Sequence, residues 1–93
     1  MMTSDRITEL RDEINGLNVQ IVDLLERRVE VARRIGEAKR EQNLPIVDRA
    51  REGAVYKRVR ELATERGLDP EGVEKVFREI VDLSTRAQQE DGR

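Results

Sequence analysis

Arg28 stands where a hydrophobe is due. Apolar residues recur at alternating spacings of three and four through Ile7, Leu10, Ile14, Leu17, Ile21 and Leu24, and resume at Val31, Ile35 and Ala38. This is a heptad seam, the pattern of a helix that packs a narrow apolar stripe lengthwise on a partner. A guanidinium in register with nine hydrophobes must either snorkel to solvent or meet an anion. Lys39 lies eleven residues further on, so the two cations share a face roughly 16 Å apart. Later apolar faces turn polar in the same way. Val73, Phe77 and Ile80 give way to Ser84 and Gln88 at steps of four, and Arg51 and Glu52 flank the face that begins at Val55. Together these side chains describe a polar, cation-rich pocket inside a helical bundle. It suits a small polyanion such as a dicarboxylate.

Taken singly, most of these residues have plainer explanations. Ser84 can bond back to the preceding turn. Arg51 and Glu52 can form a solvated pair, and Lys39 is one of many surface cations. Arg28 differs, because its seam position is unambiguous, and it draws the others into a functional reading.

The composition narrows the chemistry. There is no cysteine and no histidine, which removes disulfides, thiol nucleophiles, imidazole bases and the usual zinc ligands. An enzyme of this composition works with Arg, Lys, Glu, Asp, Gln and Ser, and no metal or cofactor is expected. The 18 basic residues nearly cancel the 20 acidic ones, with no polybasic run to hold a nucleic-acid backbone. No apolar run approaches the ~18 residues of a membrane span, and no signal peptide is evident. A soluble cytoplasmic protein, without nucleic-acid or membrane partners, is the expectation.

The elements that must position the pocket are all helical. The chain, 93 residues long, reads as one domain, 1–93, of three helices. Helix 1 is expected over about 5–42, with Ser4 or Asp5 as N-cap and a stop at Asn43-Leu44-Pro45. Gly16 and Gly36 inside it suit close approach by another helix. Helix 2, about 49–66, is capped by Asp48, carries Val55, Val59, Leu62 and Ala63 inward, and ends at a left-handed Gly67. Asp69-Pro70-Glu71 opens helix 3, about 70–89, in the preferred order of cap, proline and acid. Its inner face is Val73, Val76, Phe77, Ile80, Val81 and Ala87, and residues 90–93 are expected to fray.

One chain cannot cover its own seam. A helix of ~38 residues is roughly 55–60 Å long, against about 30 Å for a compact domain of this size. Burying nine seam hydrophobes, at roughly 1.5–3 kcal/mol each, calls for a second copy. An intertwined helical homodimer is the economical answer. Arg11 then acquires a purpose. It lies about 26 Å before Arg28 on the same rod, out of reach in cis. In an antiparallel dimer with its dyad near Ile21 or Val22 it can serve the other chain's pocket, giving two equivalent sites.

With these positions named, the sequence closely resembles the all-helical (AroQ-type) chorismate mutases. The resemblance covers about residues 5–89. It rests on Leu10-Arg11-Asp12-Glu13-Ile14, Leu24-Leu25-Glu26-Arg27-Arg28 and Ile35-Gly36-Glu37-Ala38-Lys39. It continues through Pro45-Ile46-Val47-Asp48-Arg49-Ala50-Arg51-Glu52 to Ser84-Thr85-Arg86-Ala87-Gln88. Each motif is weak alone; five in order are strong. The resemblance implies an intertwined homodimer that rearranges chorismate to prephenate, the branch step toward phenylalanine and tyrosine. It implies that Arg11 of the partner chain, with Arg28 and Arg51, holds the substrate carboxylates, and that Ser84 helps seat one. Lys39 and Gln88 would hydrogen-bond the ether oxygen, while Glu52 and the Asp48 backbone take the ring hydroxyl. The catalytic group would be Lys39, Gln88, Arg28 and Glu52. The family carries glutamate at the position of Gln88 in some members, where it must be protonated to donate; an amide donates at any pH. The chain length leads us to expect no fused dehydratase, dehydrogenase or regulatory domain.

The sequence also admits two other readings. Isochorismate pyruvate-lyases look similar in fold and share the arginines and the lysine. Their substrate carries the ring hydroxyl elsewhere, so the Asp48 and Glu52 contacts would lose their purpose. A non-catalytic helical dimerisation module is the other, and it would tolerate or improve with Arg28→Leu.

Overall fold

The heptad-patterned stretch folds as α1, Met2–Glu41, a single helix of 40 residues. The computed structural model describes residues 2–90, with side chains from residue 5. The helix starts before the expected cap, so Ser4 and Asp5 lie inside its first turn rather than ahead of it. Asp5 there contributes a negative charge at the positive end of the helix dipole. Leu44 N–H donates to the Lys39 carbonyl at 2.8 Å and Asn43 N–H to that of Arg40 at 3.2 Å. Asn43 supplies the left-handed residue, with φ 57°. This Schellman ending stops the helix one residue earlier than expected, and Pro45 prevents its resumption.

The second helix, α2 (Arg49–Glu65), begins at Asp48, whose Oδ1 accepts from Arg51 N–H at 3.0 Å. It ends in the same motif as α1. Leu68 N–H donates to the Ala63 carbonyl at 2.9 Å and Gly67 N–H to that of Thr64 at 3.2 Å, with Gly67 at φ 69°. The third helix, α3 (Pro70–Glu90), is capped by Asp69, whose Oδ1 accepts from Glu71 N–H at 3.2 Å. Glu90 is thus helical; the remainder of the expected frayed tail, 91–93, lies outside the described residues. No strand occurs among the described residues, and none of the helices is long and apolar enough to cross a membrane.

α3 packs on both other helices, which do not pack on each other. The result is a single layer of helices measuring 62 × 28 × 14 Å. Its radius of gyration is 17.4 Å, against about 12 Å for a compact chain of this length. The accessible surface, 7579 Å², exceeds the roughly 5,500 Å² of a globular monomer by about 2,000 Å².

Burial follows from that shape. All eight large seam residues of α1, from Ile7 to Ile35, are 47–59% exposed. Burial on α1 falls one register aside, on Ala32 and Gly36, with Leu25, Arg28 and Val29 half-buried. Val59 and Ala63 of α2 are buried as expected, as is Ala87 of α3. Val76 is not: it is 58% exposed. Helices flank α3 on its two sides only, and Val76 points out of the layer.

Gly36 admits α3 closely. A Cβ there would lie 3.1 Å from both Cβ and Cγ of Gln88, whereas Gly16 has nothing within 4 Å in its own chain. A second tie joins α2 to α3. Glu74 accepts from Arg60 at 2.9 Å and from Arg78 Nε at 2.9 Å, and the Arg78 guanidinium lies 4.3 Å from the Tyr56 ring centre.

Candidate active site

The buried positions of this layer are unusual for a core: besides small apolar residues they include Ser84 and Gln88. Both face a cavity of about 250 Å³ where the three helices meet. Arg28 and Lys39 enter it from α1, Arg51 and Glu52 from α2, and Asp48 from the loop between them. Val31, Ala32 and Ile35 form one apolar wall, with Val55, Val81 and Ile46 opposite. Seven of the eight site residues expected from the sequence therefore line one cavity. Arg11 does not; it is exposed on the projecting half of α1.

Arg28 is fixed by α3. Its Nη1 donates to Ser84 Oγ at 2.6 Å, and Ser84 donates its own proton to the Ile80 carbonyl at 3.1 Å. The serine thus makes the back-bond to its own helix and also orients the arginine. With its proton spent on a carbonyl and a cation on its oxygen, it has no base to make it a nucleophile. Burial lowers the Arg28 pKa, the nearby charge of Arg51 lowers it further, and Tyr56 acts in the opposite direction. The guanidinium stays protonated regardless, so the shift expresses an unrelieved electrostatic cost that a bound anion would offset. Among the described residues neither Arg28 nor Arg51 forms an ion pair with a carboxylate.

Lys39 is held at both ends. Its carbonyl accepts the Leu44 N–H in the helix ending, and its Nζ donates to the Ile46 carbonyl at 2.7 Å. An ammonium has three protons, so two remain for a ligand. Glu52 lies 3.4 Å from Arg49 Nη1, but that arginine is 87% exposed, and such a pair contributes little. Asp48 is committed to capping α2 through its side chain. Gln88 is buried, and among the described residues its Oε1 has no hydrogen-bond partner.

Sequence reasoning missed three contributors. Thr85 lines the cavity, the Ile46 carbonyl steadies Lys39, and Arg40 Nη1 donates to the Gln88 carbonyl at 3.2 Å. A backbone carbonyl leaves no trace in residue type. Arg40 looks like one more surface cation beside Lys39.

The arrangement can bind a small dianion through guanidinium groups. It also places an ammonium, Lys39, and an amide, Gln88, on the lining of the same cavity. The family described as chorismate mutase type II matches residues 10–89, and the chain belongs to that family. It is 31% identical over 86 residues to the T-protein of Enterobacter agglomerans, covering 92% of this chain and 23% of that protein. With the bifunctional chorismate mutase/prephenate dehydratase of Aquifex aeolicus it shares 36% identity over 80 residues, 83% of this chain and 22% of that protein. With the chorismate mutase of Methanocaldococcus jannaschii it shares 27% over 86 residues, 92% of this chain and 87% of that protein. The chain therefore spans less than a quarter of the first two relatives and most of the third.

Proposed function

We propose that this chain is a chorismate mutase that works as an intertwined homodimer. The observation that carries the proposal is the cavity itself. Arg28 and Arg51 face it without carboxylate partners among the described residues, beside the tethered ammonium of Lys39 and the buried side chain of Gln88, whose Oε1 has no partner.

The reaction suits a site without a nucleophile. In the Claisen rearrangement the ether C–O bond breaks as a new C–C bond forms, in one step, and no proton leaves or enters. The protein must hold a flexible dianion in its chair-like reactive conformer and stabilise the negative charge that grows on the ether oxygen. In this proposal Arg28, Arg51 and Arg11 of the partner subunit grip the two carboxylates, with Ser84 fixing the direction of Arg28. Lys39 and Gln88 donate to the ether oxygen, each contributing roughly 3–4 kcal/mol. Glu52 and the Asp48 backbone receive the ring hydroxyl. A million-fold acceleration requires about 8 kcal/mol, which two such donors and conformational restraint supply.

The dimer is supported by the exposed seam and by the surplus surface of about 2,000 Å² per chain, the scale of an obligate interface. Arg11 of one chain would then meet the cavity of the other. The presence of Asp48 and Glu52 in the cavity favours the mutase over the isochorismate pyruvate-lyase. Incubation of the purified protein with chorismate alone, followed by assay for prephenate, tests the reading. Prephenate is the expected product. Pyruvate released in a parallel incubation with isochorismate, with chorismate left untouched in the first, would overturn it in favour of the lyase.

A further inference from the structure

Gln88 occupies an awkward place for a donor that must be aimed. It stands two residues from the end of α3, in the turn where helices fray. Its carbonyl is among the last four of the helix, which have no partner within it. The last turn of α3 contains no basic residue to complement the dipole. Left to itself, this turn would not hold a side chain to the tolerance that a reacting oxygen demands.

Two residues of α1 supply what α3 lacks. Arg40 Nη1 donates to the Gln88 carbonyl at 3.2 Å, placing a cation and a donor on the helix end. The backbone from which Arg40 reaches is itself tied, because its carbonyl accepts from Asn43 N–H at 3.2 Å. One turn earlier on the same face, Gly36 leaves the space in which Gln88 Cβ and Cγ rest, 3.1 Å from where a Cβ would stand. The backbone of Gln88 is thus tied and its stem seated, while its Oε1 is buried without a partner among the described residues and the residue lines the cavity.

We infer that Arg40 and Gly36 are positioning residues that aim the Gln88 carboxamide at the reacting oxygen. The inference rests on the mutase reading for its reaction, though not for its geometry. Arg40 touches no substrate in this scheme; it acts through Gln88.

The test combines kinetics with a spectroscopic readout. In Arg40→Met, kcat should fall about tenfold, since sub-ångström misplacement has large effects on rate. KM should change less than about twofold, because the arginines still hold the carboxylates. Arg40→Lys should recover most of the loss. In a Gln88→Ala background, Arg40→Met should have almost no further effect on kcat, whereas a merely structural role would lower both backgrounds alike. Gly36→Ala should reproduce the kcat loss and serves as the second variant if Arg40→Met folds poorly. Independently of the reaction, the Gln88 side-chain amide signals in a ¹⁵N–¹H spectrum, assigned by their loss in Gln88→Ala, should move in Arg40→Met and Gly36→Ala. Unmoved signals, or equal kcat losses with and without Gln88, would overturn the inference. If the wild type forms no prephenate yet the signals move, the mutase reading fails and the positioning stands.

Discussion

Arg28 of α1 donates to Ser84 of α3 at 2.6 Å, and Ser84 passes its own proton to Ile80 within α3. The Arg28 guanidinium is therefore oriented by a hydroxyl that stays satisfied when the arginine is removed. Burial and the Arg51 charge hold the Arg28 pKa below its ordinary value, so folding disfavours the charged form at every working pH. Arg28→Leu should accordingly unfold at no lower urea concentration than the wild type, while kcat/KM falls at least about 100-fold, the equivalent of roughly 3 kcal/mol. Urea titration and prephenate assay measure the two effects separately. Retained turnover would contradict the site assignment.

Lys39→Ala should lower kcat/KM by at least about 100-fold as well, through the lost donor at the ether oxygen. Its Nζ also steadies the Ile46 carbonyl, so a modest loss of stability should accompany it. Near-normal turnover in a folded variant would exclude Lys39 from the chemistry.

The proposed trans role of Arg11 has a complementation test. Arg11→Ala and Arg28→Ala dimers should each be inactive. Unfolded together in equal amounts and refolded, about half the dimers should be mixed, each with one intact site, restoring about a quarter of wild-type activity. Mixed dimers without activity would show that Arg11 does not serve the other chain's cavity.

Glu74 governs an acid-side effect. Hydrogen bonds from Arg78 and then Arg60 hold its carboxyl below the usual carboxylate range. A depressed folded pKa stabilises above the unfolded value, about 4.3, and that contribution disappears as pH falls through the lower folded value. Glu74→Gln should therefore be less stable than the wild type at pH 6, with the gap closing toward pH 3. Urea midpoints of both proteins at the two pH values measure it; a gap that does not change with pH would contradict this account.

Much of this structure is legible in the sequence where large side chains mark it. The seam from Ile7 to Ile35 announces a long helix, and the interruptions at Arg28, Ser84 and Gln88 point to the cavity that the fold builds. What escapes is carried by small residues and by backbone. Gly36 signals the close approach of a helix, and Gln88 of α3 rests against it; but small buried residues such as Ala32 leave no apolar periodicity, so the rest of the face used within the chain is hidden beside the louder stripe. Val76 satisfies the helical period of α3 yet points out of the layer, because a pattern does not reveal how many neighbours a helix has. The early start of α1 reflects a helix that continues through Asp5 without needing a cap there. Asp48, Gly67 and Asp69 were legible because capping is decided within a few residues.

The layer only 14 Å thick has a kinetic consequence. If the seam is buried only against a second copy, gaining activity after dilution from denaturant is a collision-limited event, not a private property of each chain. The half-time of recovery should then shorten in proportion as chain concentration rises, and the unfolding midpoint should climb with it. The amount of chain present would set how quickly each new copy becomes competent.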